Sequence, residues 1–304
     1  MPRGATRFLA ANRRIKALSG IHNRNCLIKN NDLSWSDPKV SKRKVVFTDL
    51  DGTLLDHDTY DWQPAAPVLE ELKRRRIPVV LVSSKTLAEL EEVRNELGLA
   101  DPVIAENGAA FDVPDGYFPR PLEWQADAVD RATLQRHLDE IRDDFDCVSF
   151  AELGTAGIAA ATGLSPQQAM LANQREASEP ILWNDTEQQL AEFTAAAAAR
   201  GLRCTRGGRF VHLMGAVDKG DAVRKLCDAY RQRWPGVKVE SIALGDGPND
   251  LGMLMAADIA VVIRGKHGQP MPLDGHLRVL RPEAPGPEGW ALAMRALLER
   301  STDE

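Results

Sequence analysis

From Lys44 onward, short apolar runs alternate with segments of helical periodicity. The runs are Val45-Val46-Phe47 leading to Thr48-Asp49, then IPVVLVSS (77–84), the first half of PVIAENGAAFDVP (102–114), residues 239–244 and IAVVI (259–263). Continuous apolar stretches of this length are typical of parallel strands buried on both faces. Between them lie a helix predicted near 64–76, with Pro64 suited to its first turn, and the charged amphipathic TLAELEEVRNELGL (86–99), which Gly98 is placed to stop. Asn107-Gly108 reads as a turn between two short strands. Residues 239–257 read as strand, glycine-rich loop and helix. The alternation predicts an α/β fold: a doubly wound, mostly parallel, Rossmann-like sheet with helices on both faces.

The texture changes between Pro121 and about Gly207. Residues 127–145, 165–179 and 188–201 each read as helical, the second ended by Pro180 and the third rich in alanine. The runs ILW and RFVHLM supply short strands around them. The block predicts an inserted α+β domain, and insertion is easy where chain ends lie close together. The expected organisation is an extension over 1–43, a core over 44–122, the insert over 123–209, and the rest of the core over 210–304.

A hydrophobic content of 43% with 27% charged residues belongs to a chain with a sizeable core. No apolar stretch reaches membrane-spanning length. Cys26, Cys147, Cys204 and Cys227 form no CxxC pair, which argues against a zinc site or a disulfide framework and for a reducing cytoplasm. Positions 1–44 carry a balance of +9 and the remainder −15. An acidic body does not suit nucleic acid, whose backbone calls for positive charge. The first 40 residues lack a secretory apolar core with a cleavage site. FLAANRRIKAL fits a short basic amphipathic helix and NNDLSWSDP a loop, so the extension reads as disordered or loosely packed. An organellar targeting peptide also fits its Arg-rich, acid-poor composition, against its Asn-rich second half.

Four polar groups fall at strand ends: Asp49 and Asp51 with Gly52-Thr53; Ser83-Ser84-Lys85-Thr86; Lys219 ahead of a helix; and Gly245-Asp246-Gly247-Pro248-Asn249-Asp250. Singly, they read as a solvated pair, a helix cap, a surface lysine and a turn. Together they converge, because strand ends in a doubly wound sheet meet at one crevice. Carboxylates from two strands suit Mg²⁺, the Ser83 hydroxyl and nearby N–H groups suit an oxyanion, and Lys219 offers a point charge to phosphate.

The four groups resemble, in order, the four motifs of the haloacid-dehalogenase-like hydrolases. The resemblance implies a Mg²⁺-dependent phosphatase in which Asp49 is the nucleophile and Asp51 the general acid and base. It implies that Ser83, Ser84 and Lys219 bind the phosphoryl group, and that Asp49, Asp51, Asp246, Asn249 and Asp250 form the metal site. The insert resembles a C2B-type cap. FTDLDGTLLD, SSKT, ENGAAF, QREASEP, GGRFVHLMG and LGDGPND together resemble mannosyl-3-phosphoglycerate phosphatases and their bacterial relatives. Gly247 replaces the serine of the commoner GDSPND form, which removes a hydroxyl and no carboxylate.

That resemblance implies a small phosphorylated metabolite as partner, a glycosyl phosphoglycerate, with no nucleic acid and no membrane; the sequence sets no oligomeric state. Arg175 suits the glycerate carboxylate. Glu176, Ser178 and Glu179 offer polar groups to a sugar. Lys85, Asn107 and His212 complete the expected rim, although REASE also reads as a solvated helix face, Asn107 as a turn residue and His212 as a strand residue that simply packs. The alternatives are a related sugar-phosphate or general metabolite phosphatase, a phosphomutase, and a binding protein that has lost the reaction.

Overall fold

The computed structural model describes residues 41–122, 128–207, 210–265 and 271–299. The expected basic helix and loop of the extension, and Cys26, lie outside the described residues. The chain first lays down β1 (Lys42–Thr48), α1 (Ala66–Arg74), β2 (Val79–Val82), α2 (Leu87–Glu96), β3 (Val103–Ala105) and β4 (Ala110–Asp112). It then departs through α3 (Arg131–Ile141), β5 (Cys147–Ser149), α4 (Phe150–Thr162), α5 (Pro166–Ala172), β6 (Ser178–Trp183), α6 (Glu187–Ala198), β7 (Arg203–Gly207) and β8 (Phe210–Met214). It returns with α7 (Lys219–Arg233), β9 (Lys238–Gly245), α8 (Leu251–Ala256), β10 (Ile259–Val262), β11 (Val279–Leu280) and α9 (Gly286–Glu299).

The main sheet has seven strands in the order β11-β10-β9-β1-β2-β3-β4. Every pairing is parallel except β3 with β4. Strand β1 shows why the apolar runs are continuous. Val46 packs on one face with Leu69, Leu72 and Trp290, while Val45 and Phe47 pack on the other with Leu226, Tyr230 and Met253. Both faces are dry, so both side-chain sets must be apolar. Truncating a fully buried leucine such as Leu69 costs about 2–5 kcal/mol.

Strands β5-β6-β8-β7 form a separate antiparallel sheet. It covers its own apolar cluster of Leu134, Leu138, Ile181, Phe193 and Leu213. Three expectations shift here. The helix predicted over 165–179 ends at Ala172, because Ser178–Trp183 is drawn into the sheet as β6. Pro180 therefore ends no helix; it sits within β6 opposite His212. Helix α4 and strands β5 and β7 lie where no element was predicted. The domain boundaries move too. Strand β8 belongs to the second sheet, so the return to the main sheet comes after Met214 and not at 210, and at the other end Lys42 and Arg43 already belong to β1. Among the described residues, no helix is long and apolar enough to cross a membrane.

Candidate active site

Asp49 follows β1 directly, and its backbone is fixed before its side chain is. Its N–H donates to the Leu244 carbonyl at 2.9 Å, and its carbonyl accepts from Thr48 Oγ1 at 2.8 Å. The indole of Trp290 in turn donates to Thr48 Oγ1 at 3.0 Å. The Asp49 side chain is buried and meets Lys219 Nζ at 2.6 Å. The same ammonium lies 2.7 Å from Asp250 Oδ1. Lys219 opens α7, where Asp218 caps the helix in a reciprocal pair with Asp221.

Asp246, beyond the end of β9, accepts from Thr53 Oγ1 at 3.1 Å. Its carboxylate crowds Gly52, whose φ of +83° and lack of a Cβ let the loop approach; a Cβ there would lie 2.6 Å from Asp246 Oδ2. Asp250 Oδ2 accepts from the Asp246 and Gly247 N–H groups at 3.1 and 3.0 Å. Oxygens of Asp49, Asp246 and Asp250 lie within 4.8 Å of one another. Burial, followed by repulsion from Asp250, raises the Asp49 carboxyl well above its ordinary range, against the pull of Lys219. Burial and Asp250 raise Asp246 likewise. Burial alone would lower Lys219, but Asp250 and Asp49 outweigh it and hold the ammonium charged. Three clustered carboxylates against one cation leave a surplus of negative charge.

At the rim, Asp51 pairs with Lys85, Nζ to Oδ2 2.8 Å, while Asp51 Oδ1 is buried without a partner among the described residues. Ser83 is buried, and its hydroxyl accepts from the Lys85 N–H at 3.2 Å. Ser84 is half-buried, and Thr86 caps α2. Asn249 is half-buried in the short turn between β9 and α8.

The second sheet meets this rim through residues 175–178. Arg175 Nη1 donates to the Ser84 carbonyl at 2.9 Å and to Ser178 Oγ at 3.0 Å, while its Nε is buried without a partner among the described residues. His212 is buried, with Nδ1 unpartnered among the described residues; burial first, then the charges of Arg175 and Lys219, pull its pKa down to about 3. Asn107 is buried, and neither end of its amide finds a partner among the described residues. The following residue, Gly108, has φ +105°, and a Cβ there would sit 2.3 Å from the Asp218 carbonyl oxygen.

Two expected rim residues are not free for a ligand. Glu179 is fully buried, taking Arg131 Nε at 2.6 Å, Gln135 Nε2 at 3.2 Å and the Ala151 N–H at 2.9 Å. Its strand turns it into the second domain's interior. The Ser178 hydroxyl is also fully buried and spent, donating to Glu106 Oε2 at 2.6 Å. Glu106 itself was absent from the expected set. The sequence signal was a glutamate directly before an Asn-Gly turn at a strand end.

Residues 46–151 match the haloacid dehalogenase-like hydrolase family. The core has a haloacid dehalogenase-like fold. A phosphatase of the haloacid dehalogenase superfamily from Bacteroides thetaiotaomicron is similar over 92% of this chain and 98% of its own, with 23% identity and a TM-score of 0.59. The sucrose-phosphatase of Synechocystis, solved with sucrose and phosphate, is similar over 84% and 98%, with 18% identity and a TM-score of 0.57. A haloacid dehalogenase-like hydrolase from B. subtilis is similar over 83% and 99%, with 17% identity and a TM-score of 0.58. At these identities the haloacid dehalogenase-like likeness is one of fold, and it extends past the matched segment through the second domain to the returning strands.

Proposed function

We propose that this chain is a phosphomonoesterase that works through an aspartyl-phosphate on Asp49. The observation that carries the reading is the Lys219 ammonium, buried between Asp49 and Asp250, with Asp246 beside them. A carboxylate buried at a strand end and balanced by one cation is equipped for nucleophilic attack on phosphorus. Asp51 stands two residues on, at the solvent-facing rim, where a leaving oxygen takes its proton and a water later loses one. Ser83 and Lys219 hold the phosphoryl oxygens. Phosphatases among the fold neighbours support the same chemistry.

The surplus negative charge of Asp49, Asp246 and Asp250 suits Mg²⁺, a hard cation that takes oxygen donors. Asp49 and Asp246 would hold it together with the Asp51 backbone carbonyl, with Asp250 and Asn249 supporting the loop. When bound, it neutralises charge on the transferring phosphoryl group.

For the leaving group, the reading is a glycosyl phosphoglycerate, 2-O-mannosyl-3-phosphoglycerate above others. Arg175 is the cation on the second domain's side of the crevice, and its planar fork suits a carboxylate. Phosphate release should be measured with Mg²⁺ from mannosyl- and glucosyl-3-phosphoglycerate, free 3-phosphoglycerate, hexose phosphates and nucleotides. Asp49→Asn should lower turnover about a thousandfold or more, with unchanged mass and circular dichroism, and EDTA should silence the wild type until Mg²⁺ is restored. Near-full activity of Asp49→Asn would sink the mechanism. Preference for hexose phosphates or nucleotides would remove the substrate and leave the mechanism standing.

A further inference from the structure

Glu106 and Asn107 occupy the left-handed backbone region in succession, with φ of +48° and +56°. For residues other than glycine, this arrangement is strained and persists only where surroundings enforce it. Here both sides enforce it. On the core side, the Glu106 N–H donates to the Lys85 carbonyl and the Asn107 N–H to the Ser83 carbonyl, each at 2.9 Å. The strained turn is thereby bolted to the loop that carries Ser83 and Lys85.

On the other side, the Glu106 side chain is buried and accepts three hydrogen bonds from one stretch of the second domain. The Glu176 N–H reaches Oε1 at 2.9 Å, the Ala177 N–H reaches Oε2 at 3.2 Å, and the Ser178 hydroxyl reaches Oε2 at 2.6 Å. Ser178 Oγ then accepts from Arg175 Nη1, which also donates to Ser84. The result is a closed ring: loop 83–85, strained turn, Glu106, Ser178, Arg175 and back to Ser84. Among the described residues, the buried Nε of Arg175 is left unspent, as is the amide of Asn107 beside Glu106.

We propose that Glu106 is a positioning residue that seats the second domain's 175–178 segment against the phosphate-side loop and aims Arg175 at the leaving group. The proposal rests on the phosphatase reading. Glu106 touches no reacting atom and acts through Ser178 and Arg175. Its carboxylate suits the task because two backbone N–H groups and a hydroxyl all donate. A carboxamide replaces one acceptor oxygen with a donor and must break at least one of the three contacts.

Three variants test it: Glu106→Gln, Arg175→Ala and the double variant, each assayed on 3-phosphoglycerate, its mannosyl derivative and a small aryl phosphate. Glu106→Gln should raise KM about tenfold on the carboxylate-bearing substrates, more than on the aryl phosphate, and add little to Arg175→Ala, as expected for residues acting in one network. Equal losses on all substrates, or effects that simply add, would overturn the proposal. Hydrogen–deuterium exchange on the same full-length proteins reads the ring without any turnover. At least one of the Glu176 and Ala177 amides should lose protection in Glu106→Gln; unchanged protection of both refutes it. Failure of the wild type to hydrolyse any phosphomonoester condemns the phosphatase reading alone, since exchange still decides the ring. Where Glu106→Gln misfolds, Ser178→Ala cuts the link from Glu106 to Arg175 with less disturbance and should show the same KM pattern.

Discussion

Lys219 and Asp49 form a closed ion pair: Nζ to Oδ1 is 2.6 Å, the lysine side chain is 0% exposed and the aspartate 9%. Removing the ammonium leaves Asp49 and Asp250 facing each other without compensation. Lys219→Ala should therefore cost about 3–5 kcal/mol in urea unfolding, along with its loss of activity. Lys219→Arg should also be damaging, because a planar fork does not fit where a compact ammonium serves two carboxylates. An unchanged midpoint in Lys219→Ala would contradict this account.

On the proposed reading, Arg175→Ala separates binding of the leaving group from chemistry at phosphorus. A charged hydrogen-bonded contact contributes roughly 1.5–3 kcal/mol, so kcat/KM on a phosphoglycerate substrate should fall by about 10- to 100-fold. A small aryl phosphate, which offers no carboxylate, should be affected far less. Parallel progress curves on the two substrates give the comparison, and equal losses would remove Arg175 from substrate recognition.

Glu179 gives the opposite pattern. Its carboxylate holds Arg131, Gln135 and the Ala151 N–H inside the second domain. Glu179→Ala strands a partly buried guanidinium and should lower stability by about 3–5 kcal/mol without altering the ranking of substrates. A selective loss on sugar-bearing substrates would restore it as a contact.

His212 links stability to pH. The buried imidazole is neutral in the folded chain, with its pKa depressed to about 3, while an unfolded histidine titrates near its usual 6.5. Below that value the unfolded state takes up a proton that the folded state refuses, so stability falls as pH drops from about 6.5 toward 3. Between pH 6.5 and 5 the wild type should lose roughly 2 kcal/mol more than His212→Gln. Urea midpoints of the two proteins across that window provide the check, and parallel curves would refute it.

The first sheet was legible because parallel strands buried on both faces leave an unbroken apolar signature, as at Val45-Val46-Phe47 and Ile259–Val262. Asp49 and Asp246 were found by position, at the ends of such runs. The second domain was harder. Residues 174–179 read as helical, and what draws Ser178 and Glu179 into β6 and holds the preceding residues out of a helix comes from partners distant in sequence: Glu106 70 to 72 positions away, and the pairing of Pro180 with His212. Glu179 looked solvent-facing because its partner Arg131 lies 48 residues upstream. Local periodicity carries no record of such contacts.

Gly108 brings no side chain to the acidic cluster or to the rim, yet it leaves no room for change. Its φ of +105° penalises every other residue, and any side chain begins 2.3 Å from the carbonyl oxygen of Asp218, the residue that caps the helix carrying Lys219. Even alanine displaces the peptide that sets the lysine's height above Asp49. In a library of random variants scored for survival, position 108 would therefore be as intolerant as Asp49 itself. A site map drawn from tolerance alone would enrol a residue that has no side chain to offer a substrate.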